Sequence, residues 1–142
     1  MTVRVERIVT LPVEREKVWA FIADPEKRAR PISVVEDFEL KEDGTAVWHL
    51  KLPVPFIDRT VAVETHETVR REPEYVEFEG RSRVMHVIGE HELDSENGRT
   101  TLTNRFTVEG RIPGVERFFR KNMEREFDNL ENALYEELGI EQ

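Results

Sequence analysis

The sequence predicts one α+β domain over residues 1–142: a curved antiparallel sheet of seven strands, two short helices between the first and second strands, and a long C-terminal helix wrapped by the sheet. Three observations carry this. Between residues 33 and 109 apolar and polar residues alternate with period two, broken by turn-forming dipeptides. Ahead of that region stands one amphipathic stretch interrupted by Asp24-Pro25. Behind it, Val115, Phe119, Met123, Phe127, Leu130, Leu134 and Leu138 recur every three or four residues, as on one face of a helix.

The first strand covers 2–11, with Val3, Val5, Ile8 and Val9 apolar and a slip between Val5 and Ile8 that reads as a bulge. The stretch "VEREKVWAFI" follows. Val18, Phe21 and Ile22 fall at helical spacing with Trp19 beside them, and Val13 stands where a capping Ser or Asp belongs, so this helix begins without a cap of its own. Asp24 caps the second helix, Pro25 suits its first turn, Pro31 ends it, and Lys27, Arg28 and Arg30 complement its C-terminal dipole. A break here adds orphan backbone groups at two new helix ends. It serves the fold if the chain turns a corner, so that two short helices cradle a long one.

The remaining strands fall near 34–40, 46–52, 59–69, 75–79, 84–93 and 100–109. Their turns lie at Asp43-Gly44, at Pro73, near Gly80 and at Asn97-Gly98. Pro113 starts the long helix and Gly139 stops it.

Composition narrows the function. With 38% hydrophobic residues and no cysteine, the chain builds its core without disulfides. A formal charge of -9 argues against nucleic acid, whose phosphates it would repel. No window reaches the roughly 20 apolar residues of a membrane span, and the N-terminus alternates instead of forming a signal-peptide core, so a cytoplasmic protein is expected.

The order of elements, with "LPVEREKVWAFIADPEK" followed by a meander and a terminal amphipathic helix, resembles the START-like (SRPBCC) helix-grip superfamily, including its polyketide cyclase/dehydrase-like members. The N-terminal motif and "LPVPFIDRTVAVE" are also similar to a family of small accessory proteins of carbon monoxide dehydrogenase. The resemblance spans nearly the whole chain and rests on Pro12, Val18, Trp19, Phe21, Ile22, Asp24 and Pro25, which are fold residues. It implies an apolar ligand held between the sheet's concave face and the long helix.

By alternation, Trp48, Leu50, Leu52, Val61, Val63, Val76, Phe78, Met85, Val87, Leu102, Phe106 and Val108 share one face of the sheet, opposite Phe119, Met123 and Phe127. Taken alone, such a face packs solid; the resemblance is what implies a cavity. Two polar residues interrupt it. His91 has the parity of Met85 and Val87, Asn104 lies between Leu102 and Phe106, and the Asn97-Gly98 hairpin brings their strands together. Buried, they bond each other, a water or a ligand head group.

The ligand-binding candidates are therefore Trp48, Leu50, Val61, Val63, Phe78, Met85, Val87, His91, Asn104, Phe106, Phe119, Met123 and Phe127. His86 and His91 face opposite sides of one strand, and no spacing of His, Cys or carboxylates suggests a metal. No cofactor is expected. Glu64, Glu67, Glu77, Glu79, Glu90 and Glu92 read as a solvated outer face, and "GRSR" is no nucleophile elbow. The segment holding Pro53, Pro55, Phe56 and Ile57 is apolar yet proline-broken, either a rigid connection or a transient contact for a protein or membrane surface.

The expected function is binding or carrying a small hydrophobic molecule such as a lipid, isoprenoid or quinone-like compound, with no covalent chemistry. The alternatives are a polyketide cyclase or dehydratase that moves a proton through His91, and an accessory or recruitment factor for a redox enzyme such as a carbon monoxide dehydrogenase-like complex.

Overall fold

The computed structural model describes residues 2–54 and 59–140. Its elements run β1 (Thr2–Leu11), α1 (Arg15–Ile22), α2 (Pro25–Ala29), β2 (Val35–Leu40), β3 (Ala46–Leu50), β4 (Val61–Arg71), β5 (Tyr75–Arg81), β6 (Met85–Glu96), β7 (Arg99–Gly110) and α3 (Val115–Leu138). One antiparallel sheet has the order β1-β7-β6-β5-β4-β3-β2, so the first strand closes against the last and β2 forms the far edge. This is the helix-grip arrangement.

Asp24 accepts hydrogen bonds from the backbone N–H of Glu26 (2.9 Å) and Lys27 (3.2 Å), which caps α2 as its sequence requires. The α1 start at Glu14 has no side-chain cap; instead the Thr100 hydroxyl donates to the Val13 carbonyl at 2.8 Å and ties the entry to β7. Asn97 and Gly98 take φ of 53° and 77°, a two-residue turn joining β6 to β7. At the other end of the molecule Gly139 (φ 66°) ends α3, with the Ile140 N–H bonded to the Tyr135 carbonyl.

Three expectations are corrected. The register of β1 on β7 runs unbroken from Thr2 to Leu11, so there is no bulge. Ile8 is 59% exposed and Arg7 takes the inward position, where its guanidinium bonds Asp128 (2.8 Å) and Glu131 (3.0 Å) on α3 and stands over the Phe127 ring. A long stem with a charged head covers apolar surface while its charge stays paired. Gly80 is not a turn residue but sits buried inside β5, because a Cβ there would meet Val87 Cγ1 at 2.8 Å and Val63 Cγ1 at 3.0 Å. Arg28 does not serve the end of α2. It is buried, and its Nη1 donates to the carbonyl of Ile22 at the C-terminal end of α1 (2.9 Å). The corner at Asp24-Pro25 makes this possible, since α2 doubles back to set a cation on the end of α1.

The core has two parts. The first half of α3, with Val115, Phe118, Phe119, Met123 and Phe127, packs on Trp48, Leu50, Val63, Phe78, Met85, Val87, Phe106 and Val108. The second half, with Leu130 and Leu134, packs on Val18, Trp19, Phe21 and Ile22 together with Leu11, Val76, Leu93 and Leu102. The short helices thus support the rear of α3 and leave its front half to the sheet. Replacing Asp24 by Ala should cost ~0.5–2 kcal/mol in urea unfolding, whereas Asp24→Asn should stay close to the parent, because Asn caps equally well.

Candidate functional site

Between the front half of α3 and the sheet lies a cavity of about 30 Å³ lined by Ile32, Val34, Trp48, Leu50, Val63, Met85, Val87, Phe106, Val108, Phe119 and Met123. Eight of the thirteen sequence candidates border it: Trp48, Leu50, Val63, Met85, Val87, Phe106, Phe119 and Met123. Val61 is half-buried and packs against the same cluster. Phe78, His91, Asn104 and Phe127 lie beyond the cavity wall. Phe127 is in ring contact with Phe106 at 5.6 Å, and Phe78 meets Trp48 at 5.4 Å and Phe106 at 6.0 Å. Sequence reasoning missed Ile32 and Val34, because they precede β2 in a connection without periodicity.

His91 and Asn104 are directly paired across β6 and β7, both fully buried, and His91 Nδ1 lies 2.7 Å from Asn104 Oδ1. They sit where the two parts of the core meet, with Leu93 and Leu102 on one side and Gly89 and Phe106 on the other. Burial, reinforced by the nearby Arg28 charge and only partly opposed by the bond to Asn104, pushes the imidazole down to about 3, so it is neutral at physiological pH. His91 Nε2 and Asn104 Nδ2 have no hydrogen-bond partner.

Arg28 is the other inward charge. Burial lowers it to about 10, with the Glu67 carboxylate at 3.5 Å partly opposing, so it remains a cation. Glu67, expected on the outer surface, instead shares the inward parity of Val63 and Thr65 and pairs in register with Phe78, and the ladder shifts between Glu67 and Val69. A buried guanidinium demands a carboxylate on its own side of the sheet.

A buried carboxylate, Glu126, escapes the sequence reading. It accepts from the Ser33 backbone N–H at 2.8 Å, from the Ser33 hydroxyl, and from the Asn129 amide at 3.1 Å. Its signal is present in the sequence: Glu126 follows Met123 by three residues on the buried stripe of α3. Through Ser33 it pins the 32–34 segment, two of whose residues line the cavity, to the long helix. Of the apolar crossover, Pro53 is exposed, and the expectation for Pro55, Phe56 and Ile57 lies outside the described residues. No group of three or more potential metal ligands occurs among the described residues, and no helix among them is long and apolar enough to cross a membrane.

A family model described as polyketide cyclase / dehydrase and lipid transport matches residues 2–134. No curated protein matches the chain in sequence. Among solved structures, the chain is similar to a conserved protein from Geobacillus kaustophilus (TM-score 0.76, 14% identity, 96% of this chain and 95% of that one). It is similar also to the Zhui aromatase/cyclase from Streptomyces sp. R1128 (0.75, 18%, 96% and 93%) and to a START superfamily protein from Mycobacterium smegmatis (0.69, 13%, 92% and 93%). At these identities the likeness is one of fold.

The buried histidine has a pH consequence. Its pKa lies lower in the folded chain than the ordinary value near 6.5 that the unfolded chain would have, so below pH 6.5 only the unfolded state takes up the proton. The stability that His91 contributes is intact above pH 6.5 and is lost as pH falls toward 3, at up to ~1.4 kcal/mol per pH unit. Urea unfolding at pH 7, 6, 5 and 4.5 should show this fall in the parent and a shallower one in His91→Gln; equal slopes would mean the imidazole protonates while buried.

Proposed function

The chain belongs to the polyketide cyclase/dehydrase and lipid transport family, and from that premise we propose that it binds and carries a small hydrophobic molecule, such as a lipid, isoprenoid or quinone-like compound, between its sheet and α3. The observation that supports this is the apolar cavity at the place where the family resemblance implies a ligand. A solid core was the competing expectation for this face, and a void in a close-packed interior forfeits contacts.

At about 30 Å³ the cavity has room for a few atoms, whereas a dry cavity of ~150 Å³ is what accepts benzene. A ligand therefore enters by displacing side chains. Met85 and Met123 on opposite walls suit this, since an unbranched thioether rearranges at small cost. The latch of Glu126 on Ser33 fixes the 32–34 edge against the same helix, so loosening it is one route of access.

Carriage is favoured over the cyclase or dehydratase alternative by the condition of the polar groups. A general acid or base works best with a pKa near the operating pH. His91 is held far below that range and its Nδ1 is engaged by Asn104, while Glu126 is engaged by Ser33 and Asn129. These groups position and orient.

Met123→Phe places a ring in the cavity. The melting temperature should hold or rise, since filling 30 Å³ returns at most ~0.7 kcal/mol. Affinity for the neutral dye N-phenyl-1-naphthylamine should drop about tenfold or more. Native mass spectrometry of gently purified parent protein should show a bound apolar compound. If the parent carries none and binds no dye, the carrier reading falls.

A further inference from the structure

Four buried nitrogen atoms without a hydrogen-bond partner belong to side chains that gather around one phenylalanine: Arg28 Nε, Trp48 Nε1, His91 Nε2 and Asn104 Nδ2. The Phe78 ring has the Arg28 guanidinium over it at 5.2 Å, the Trp48 ring at 5.4 Å and the His91 imidazole stacked at 6.2 Å, and Asn104 joins through its bond to His91. Among the described residues, the other buried nitrogens of this kind are on Arg15, His49 and His86, and each of those side chains has a carboxylate within 3.9 Å. Arg28 too has one, Glu67 at 3.5 Å from Nη2, but its Nε is left over.

The chemistry of the four is one-sided. A guanidinium Nε, an indole nitrogen and a carboxamide nitrogen can only donate. The imidazole supplies a donor or an acceptor at Nε2 according to which way the Asn104 amide is turned. Three donors, and a fourth by a flip of the amide, thus converge on an aromatic ring. A buried donor without an acceptor is costly, and an aromatic face is a weak substitute that only the Arg28 cation exploits.

The ring itself sits in a recess. Phe78 pairs with Gly89, and a Cβ on Gly89 would lie 2.2 Å from Phe78 Cε1 and 2.4 Å from Cζ. The ring therefore occupies space that exists because residue 89 has no side chain. Trp48 and Phe106 border both this ring and the apolar cavity, so moving the ring joins recess to cavity.

We propose that Phe78 is a movable plug, and that the recess it fills is the seat for a carbonyl oxygen at one end of an otherwise apolar ligand, held by the N–H groups of Arg28, Trp48 and Asn104. This rests on the carrier reading and narrows it: a hydrocarbon of the same frame would enter the cavity but leave the donors bare. His91, neutral and bonded to Asn104, acts as a positioning residue that fixes the amide.

The test uses two probes of one frame, 2-methyl-1,4-naphthoquinone and 2-methylnaphthalene, with the parent protein, Phe78→Ala and Phe78→Leu. The chain has two tryptophans, so the Trp48 indole N–H is readily assigned in ¹⁵N spectra against Trp48→Phe. The quinone should shift that resonance in the parent. Removing the plug should tighten quinone binding about tenfold with a much smaller gain for the hydrocarbon, and Trp48→Phe should erode the preference. Phe78→Leu and the indole shift in the parent decide the matter should Phe78→Ala fail to fold. Equal gains for both probes with the indole unmoved would overturn the acceptor seat and leave the carrier reading standing. No binding of either probe to any of these proteins would overturn both.

Discussion

A Cβ at residue 89 would lie inside the Phe78 ring, 2.2 Å from its nearest atom, and this close approach organises the concave face. With the ring laid on bare backbone, its two faces and edge become available to Trp48, Phe106, His91 and the Arg28 guanidinium at once. Each of those four comes from a different element. Offset and tilted ring contacts of this kind add modestly to burial, but here they also fix where the apolar cavity ends, since Trp48 and Phe106 are its wall on that side.

The polar groups follow from that geometry. A guanidinium standing over a buried ring needs more than cation–π attraction to offset its lost hydration. Arg28 finds the C-terminal carbonyl of α1 and the Glu67 carboxylate. Both depend on the helix break, because a continuous helix through Asp24-Pro25 would carry residue 28 away from the end of α1. The same charge helps keep His91 neutral, and a neutral imidazole can share a short contact with an amide without a counter-ion. Local capping chemistry at Asp24 is in this way connected to the protonation state of a histidine on β6. At the opposite edge Glu126 makes a comparable tie, binding the 32–34 segment to α3 through Ser33.

The parts of this arrangement that can be read from sequence are those set by short-range periodicity. Strand parity places His91 and Asn104 inward and opposite one another, and the Asn97-Gly98 turn fixes their register, so their hydrogen bond is legible before any coordinates. Helical spacing picks out Phe119, Met123 and Phe127. What fails is everything decided by a partner distant in sequence. Gly80 resembles a turn residue until Val63 and Val87 are seen to leave no room for a Cβ. Arg28 looks like a solvated helix terminus, and Glu67 like an outward charge, until each is found to be the reason for the other. Arg7 displaces Ile8 from the inner face because Asp128 and Glu131 wait on α3. Periodicity also cannot weigh a void against a filled core, since the side chains that line a cavity and those that close one are the same types.

Shared fold with an aromatase/cyclase leaves open which use this chain makes of its inner face, and the residues bear on that question more directly. Catalysis by proton transfer needs a group whose protonation changes near the working pH and whose bonding leaves it free to reach a substrate. The inner face offers a cation held charged by Glu67, an imidazole held neutral by burial, and a carboxylate bound by three donors from Ser33 and Asn129. Fixed charge states suit recognition, because a donor that never changes character reads the same acceptor at every pH the fold survives. Unpartnered nitrogens at the boundary of an apolar cavity carry the same implication: the cost of leaving them bare is recovered when a ligand with a matching oxygen arrives, which makes affinity depend on that oxygen more than on apolar area.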